Sequence, residues 1–198
     1  GLTNHVGGNK NDTLSFAAFN TARSITVSTT GALDGFDLTA VSFSGIFKNI
    51  NILIGGSASD TLNGLNLASR WGINTLPLGN TYTASAITLT FLAIEDLIGG
   101  TGVDTFVFAN GAALAGRIDG AAGANKLDYS AYTTALNLTL SSAGLDGFSG
   151  AGTGLGTGFS NLTLITGGQN LADKLTGANV ASLWYFDGQY TYVLSGQT

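Results

Sequence analysis

The chain repeats itself. Leu14-Ser15-Phe16-Ala17-Ala18-Phe19 returns as Leu127-Asp128-Tyr129-Ser130-Ala131-Tyr132, and Ala68-Ser69-Arg70-Trp71 returns at the same sequence offset as Ala181-Ser182-Leu183-Trp184. Between them, Leu33-Asp34-Gly35-Phe36 matches Leu145-Asp146-Gly147-Phe148, and Phe47-Lys48-Asn49-Ile50 matches Phe159-Ser160-Asn161-Leu162, one position short of that offset. About one and three-quarter copies of a long unit therefore fill one domain, 1–198: copy 1 over about 8–120 and copy 2 over about 121–198. Units of this kind bury their apolar faces by stacking on one another.

A shorter motif runs inside the unit: Gly-Gly, a short polar stretch, Asp, a polar residue, then Leu or Phe. It occurs at Gly7-Gly8 with Asp12 and Leu14, Gly55-Gly56 with Asp60 and Leu62, Gly99-Gly100 with Asp104 and Phe106, and Gly167-Gly168 with Asp173 and Leu175. A degenerate copy reads Gly120-Ala121 with Asn125 and Leu127. The anchors thus fall at Leu14, Leu62, Phe106, Leu127 and Leu175, three long intervals of similar size and one of about half that size. Plain coils of about 21–24 residues explain all four intervals if alternate coils lack the motif. Ser24–Ser28, Ile87–Phe91 and Leu136–Leu140 alternate polar and apolar residues, the period of a strand with one buried face. Gly, Asn and Asp clusters punctuate them as turns, and only Ala112–Ala115 suggests a helical turn. The expected fold is all-β, a right-handed parallel β-helix or β-solenoid.

Composition fits that expectation. Gly contributes 30 residues, Pro one, and charged residues only 10%, so the polar surface must come from Ser, Thr, Asn and Gly. The chain holds 7 Lys and Arg against 12 Asp and Glu, with no basic run, so no nucleic acid is expected as a partner. The uncharged apolar stretches fall short of a membrane span, so no membrane insertion is expected. Cys is absent and His5 is the single histidine, which leaves almost nothing for a thiol, Ser-His or Cys-His nucleophile. Glu95 and Asp96 are neighbours, and on a strand they point to opposite faces, a poor acid/base pair. The Gly-rich run 147–158 lacks the Lys-Ser/Thr ending of a phosphate loop and reads as a flexible connection between coils. No catalytic residue is assigned, and the chain is expected not to be an enzyme.

Gly99-Gly100-Thr101-Gly102-Val103-Asp104-Thr105-Phe106-Val107 resembles the repeats-in-toxin nonapeptide at every fixed position. The longer stretch, Ile94–Ile98 through that nonapeptide to Ile118-Asp119-Gly120 and Leu127–Ser130, is similar to repeats of large bacterial surface proteins of the β-strand-repeat, haemagglutinin-like or adhesin-like kind. The resemblance implies a secreted, extracellular solenoid at the bacterial cell surface, serving adhesion, a surface coat or filament assembly. It also implies that calcium is the one ion to consider, bound at Asp104 with Asp119 and Asn125 from the next coil; none is required as a cofactor. Against that stands the reading that these residues cap turns through Asx hydrogen bonds. A calcium β-roll, with shorter turns of roughly eighteen residues, is the structural alternative.

Trp184, Tyr185, Tyr190 and Tyr192 form an aromatic cluster that would suit a glycan surface, the alternative function being a carbohydrate-binding or carbohydrate-cleaving β-helix. Trp71 and Trp184 hold equivalent places in the repeat, and a repeated Trp equally serves to fill a solenoid corner. Neither end carries an obvious polar cap, so the expected partners are neighbouring repeats or identical subunits stacked end to end. A cell-surface glycan or protein is the further partner expected.

Overall fold

Two sheets share the chain, which crosses from one to the other and back. The computed structural model describes residues 4–144, 146–185 and 191–194. β1 (Asn4–Val6) lies in the first sheet and β2 (Thr13–Ser15) in the second. The chain then lays three antiparallel strands into the first sheet, β3 (Ser24–Thr30), β4 (Phe36–Ala40) and β5 (Ile46–Ile50). It crosses with β6 (Ile52–Ile54), returns with β7 (Thr61–Asn63), and makes a second meander in the second sheet: β8 (Ser69–Ile73), β9 (Asn80–Ala84) and β10 (Ile87–Leu92). Plain crossings follow: β11 (Asp96–Ile98), β12 (Asp104–Phe108), β13 (Arg117–Asp119) and β14 (Lys126–Asp128). The order then starts again with the meander β15 (Asn137–Gly144), β16 (Gly147–Gly152), β17 (Gly158–Leu162), then β18 (Leu164–Thr166) and β19 (Lys174–Thr176). β20 (Ser182–Tyr185) and β21 (Thr191–Leu194) pair antiparallel with each other.

The first sheet runs β1-β5-β4-β3-β7-β11-β13-β17-β16-β15-β19 and the second β18-β14-β12-β8-β9-β10-β6-β2. Wherever strands from different crossings meet, they are parallel. The run β3-β7-β11-β13-β17 makes about four turns of a β-solenoid. No helix occurs among the described residues, including 112–115, where Leu114 instead bridges to Leu155. With neighbours about 4.8 Å apart, the eleven strands of the first sheet stand about 48 Å high.

The meanders change the reading of the motif intervals. A plain coil, short enough to match the expected length, occurs where Leu97 pairs with Ile118 and Phe106 with Leu127. Elsewhere parallel partners lie further apart in sequence, as with Leu62 and Leu97 or His5 and Phe47, because a meander is threaded between them. The intervals from Leu14 to Leu62 and from Leu62 to Phe106 are therefore not pairs of plain coils. Each is three crossings with one meander, and the anchor changes sheet: Leu14 is in the second, Leu62 in the first, Phe106 in the second. The 147–158 run is likewise no connecting loop. It forms β16, turns back within the sheet over 153–157 and enters β17, and a side chain at Gly150 would strike the ring of Phe159.

Inward residues stack in columns along the axis. Leu62, Leu97, Ile118 and Phe159 lie in register on the first sheet, and Trp71, Phe106 and Leu127 on the second, all buried. Phe16, Tyr129 and Tyr132 are buried, and Phe19 packs beside Phe16. Like residues repeat at like positions, and flat rungs bring them into contact, so each column is continuous apolar surface withheld from water.

Candidate functional site

The Gly-Gly-Asp turns are the most regular polar feature of the solenoid, and their chemistry is backbone hydrogen bonding. In each, a carboxylate oxygen accepts the N–H of the second glycine: Asp12 from Gly8 (2.7 Å), Asp60 from Gly56, Asp104 from Gly100 (2.9 Å) and Asp173 from Gly168 (2.8 Å). At Gly55-Gly56 the two glycines are held between rungs. A Cβ on Gly55 would run into the carbonyl of Ala93 in the following rung, and one on Gly56 into that of Phe19 in the preceding rung. Only glycine lets backbone approach backbone this closely on both sides.

A second set of bonds links one rung to the next. The Asp12 N–H donates to Asn51 Oδ1 (2.9 Å), Arg23 to Asp60 Oδ1 (2.6 Å), Asp60 to Glu95 Oε2 (2.8 Å), Asp104 to Asn125 Oδ1 (2.9 Å) and Leu136 to Asp173 Oδ1 (2.9 Å). The acceptor always belongs to the next rung toward the C-terminal end. In return the Asp12 carbonyl accepts from Asn51 and Ile52, and the Asp60 carbonyl from Glu95 and Asp96. These side chains form a ladder that supplies acceptors where the strands end and sheet hydrogen bonding stops. Sequence reasoning missed Asn51 and Glu95 as members, since neither sits in a Gly-Gly motif.

Asp104 and Asn125 are brought together by this ladder. Asp104 is fully buried, and besides the Gly100 N–H it accepts the Ser69 hydroxyl and the Trp71 indole N–H (3.3 Å). Asn125 turns its amide nitrogen onto the carbonyls of Gly120 (2.8 Å) and Asn161 (3.2 Å). Asp119 accepts from Asn161 (2.7 Å) and from the Ala121 N–H (3.0 Å), with Arg117 at 3.8 Å. Calcium needs six to eight oxygens free to face it. Here the carboxylate oxygens face donors, and an amide NH₂ occupies the carbonyl-lined place an ion would take. No group of three His, Cys, Asp or Glu among the described residues is arranged to hold a metal. The residues present do not fit a shared calcium ion.

Burial pushes the Asp104 carboxyl above the usual aspartate range, although bonds from Ser69, Gly100 and Trp71 favour its ionised form. As pH rises past 3.8, the unfolded chain therefore gives up this proton before the folded one does. Between the ordinary and the raised value the native state holds more protons, so stability falls with rising pH and levels off above that window. Burial opposes ionisation of Asp128 too, but Lys126 at 2.8 Å and Ser130 outweigh it and hold that carboxyl below its usual range. That contribution is common to wild type and Asp104→Asn and cancels in their difference. The Tm of wild type relative to that of Asp104→Asn should fall as pH rises from about 3.5 to 7. A difference constant across that range would show that Asp104 titrates as it does in the unfolded chain.

Comparison with family models, with curated proteins and with solved structures finds no match to this chain. The remaining candidate surfaces rest on geometry alone. Tyr190 and the side chains of Trp184, Tyr185 and Tyr192 lie outside the described residues. Trp71, which holds the place of Trp184 in the first copy, is fully buried against Tyr82 and Phe106. A shallow groove of about 570 Å³ is lined by Thr26, Ser28, Thr30, Asn66 and Ser85 with Leu65 and Leu67, and its walls carry no titratable group. His5 stacks on Phe47 with centroids 4.9 Å apart and is exposed on its other side.

The ends differ from the interior. Among the described residues β1 pairs only with β5 and β2 only with β6, leaving one edge of each strand unpaired. His5 and Leu14 stand at column positions that, one repeat offset further along the chain, hold the fully buried Ile118 and Leu127, yet His5 is exposed and Leu14 only half-buried.

Proposed function

We propose that the chain is a structural or adhesive segment of a secreted bacterial cell-surface repeat protein, a rigid, metal-free solenoid whose ends join neighbouring units. The reading is carried by the regularity of the stack: Leu62, Leu97, Ile118 and Phe159, and Trp71, Phe106 and Leu127, form buried columns across parallel rungs, an architecture of extension along one axis. Stacks of parallel rungs propagate by pairing one strand edge with the next. Non-enzymatic function is supported by the use made of the carboxylates: Asp12, Asp60, Asp104 and Asp173 all accept backbone N–H groups, the work of scaffold residues. The kinship with repeats-in-toxin and adhesin-like proteins rests on the 99–107 nonapeptide, and the extracellular location rests on that kinship.

A concentration series viewed by electron microscopy and sedimentation tests the proposal. Rods of constant width that lengthen with concentration, equally in calcium and in chelator, are the expected result. A monomer at every concentration, or release of sugar from polysaccharides, would overturn it; rods that fall apart in chelator would overturn the metal-free part.

A further inference from the structure

The corners of the solenoid cover one another. Where the chain passes from the first sheet to the second, segment 99–103 lies on 64–68. The Thr101 N–H donates to Asn66 Oδ1 (3.1 Å) and the Ser69 N–H to the Val103 carbonyl (3.0 Å), and a Cβ on Gly100 or Gly102 would strike the backbone of Leu65 or Leu67. Segment 120–125 lies on 99–103 in the same way, with the Asp104 N–H on Asn125 Oδ1 (2.9 Å) and Gly123 against the Gly102 carbonyl. The other face of 64–68 has no such cover among the described residues. The strands next to β7 and β8 on that face are β3 and β9, and both belong to meanders. β3 turns back through 31–35 and β9 through Ser85-Ala86, so neither passes to the other sheet at this corner. The groove lined by Ser28, Thr30, Leu65, Leu67 and Ser85 lies in that place.

One wall of the groove is a strand edge. β3 pairs with β7 through Ser24, Ile25 and Thr26 only; β7 then ends at Asn63 while β3 runs on to Thr30. On its far side β3 stays paired with β4, Val27 with Leu38, Thr29 with Asp37 and Thr30 with Phe36. The edge of 27–30 toward the groove therefore has no strand partner among the described residues, and it runs for about 13 Å. A bulge at Ser28, whose hydroxyl donates to the Asp37 carbonyl (2.9 Å), bends the overhang and keeps any added strand short. The second copy repeats the overhang: β15 pairs with β19 through Asn137, Leu138 and Thr139 only and runs on to Gly144.

We propose that this groove takes a short, extended, uncharged peptide segment of a partner protein, which pairs with the free edge of β3 and covers 64–68 as segment 99–103 covers its other face. A free edge gives main-chain hydrogen bonds to an extended segment, and the residues beside it set the choice. The lining offers hydroxyls, an amide and leucines but no titratable group, so a charged side chain would lose water and find no partner. Glycine belongs where the segment meets 65–67, because the cover on the other face reaches that backbone through Gly100 and Gly102. The site lies on the flank of the solenoid and does not rest on end-to-end assembly.

The probe is a pool of capped peptides of about eight residues drawn from Gly, Ser, Thr and Val, added to the whole chain at about 1 mM. Hydrogen exchange should find amides within 27–30 slowed by about tenfold or more. The same pool N-methylated at alternate residues, which cannot pair along an edge, should leave them unchanged. Leu67→Lys, at a groove side chain 49% exposed, should abolish the slowing while the Tm stays within about 2 °C of wild type. Leu33→Lys, at an exposed residue outside the groove, should keep it. No slowing by the plain pool, or equal slowing by the N-methylated one, would overturn the proposal. Slowing of the same amides by cellohexaose and not by the peptides would overturn it too, and would make the groove a site for neutral glycans.

Discussion

Alanine at position 60 is expected to lower the unfolding free energy by about 2–4 kcal/mol, a large share of what a domain possesses. Asp60 is fully buried, and its two oxygens serve two rungs: Oδ2 accepts from Gly56 in its own turn, Oδ1 from Arg23 in the rung before. Removing the carboxylate orphans both N–H groups where water cannot replace it, at about 1–3 kcal/mol each, and relief of a buried charge returns part of that. Asparagine at the same place keeps one acceptor and turns a donor onto another donor, so Asp60→Asn should fall between wild type and alanine. Asn125 tolerates its own amide because the neighbours it faces are carbonyls, those of Gly120 and Asn161. Asp12→Ala is the comparison, since Asp12 lies half-exposed at the end of the stack and its side chain accepts from Gly8 alone. Urea unfolding of the three variants decides the matter. Equal costs for Asp60→Ala and Asp12→Ala would mean that the ladder adds nothing to rung stacking.

The ladder also marks what was legible in the sequence. Gly-Gly with Asp four or five positions on reads as a turn because glycine permits the close approach and Asp caps its own backbone; both roles are local, so both could be read. The long repeat was legible for the same reason that columns form: equivalent positions need similar side chains. The meanders were not legible. A hairpin turn such as Ser85-Ala86, with φ of 50° and 62°, and a solenoid corner are written in the same small and polar residues. Nothing local tells the chain to turn back in its sheet instead of crossing to the other. Spacing misled in turn, since the intervals between Leu14, Leu62 and Phe106 suit two plain coils in length as well as they suit three crossings and a meander.

One signal was available and overlooked. Phe47–Gly56 and Phe91–Gly100 align: an aromatic residue, then a residue in left-handed conformation, then a strand leading to Gly-Gly. Asn49 (φ 56°), Ala93 (51°) and Asn161 (57°) each mark the tight corner where a meander's last strand passes to the other sheet. A non-glycine residue accepts that conformation only where surrounding contacts hold it, and here the next strand starts within a few residues. That shared corner announces that the two sheets carry the same device. The candidate metal ligands were harder to place for a different reason. Asp104 and Asn125 were rightly put in adjacent coils, but whether a carboxylate faces an ion or an N–H depends on donors such as Ser69 and Trp71, distant in sequence and brought in by another rung.

Trp71→Ala should cost about 3–5 kcal/mol, the range for emptying a large buried aromatic site. Trp71 lies in mid-column, its ring stacked on Phe106 (5.6 Å, 18°), tilted against Tyr82 at 4.4 Å and edge-on to Phe91 at 6.3 Å. Its neighbours cannot close the gap, because each is fixed in height by strand pairing: Trp71 opposite Tyr82 on one side and Phe106 on the other. The cavity therefore stays open and its walls lose their contacts outright. The indole N–H to Asp104 is lost as well, though Ser69 still holds that oxygen. Trp71→Phe should recover more than half of the loss, and Leu76→Ala, at a side chain 83% exposed, should stay within about 0.5 kcal/mol of wild type. The damage should also be local. In a stack where each rung touches only its neighbours, amides of β8, β9 and β12 should lose protection in hydrogen exchange before those of β15 and β17 do. Uniform loss along the chain would instead mean that the solenoid opens as one cooperative block, and a rod assembled from it would then fail as a whole, not rung by rung.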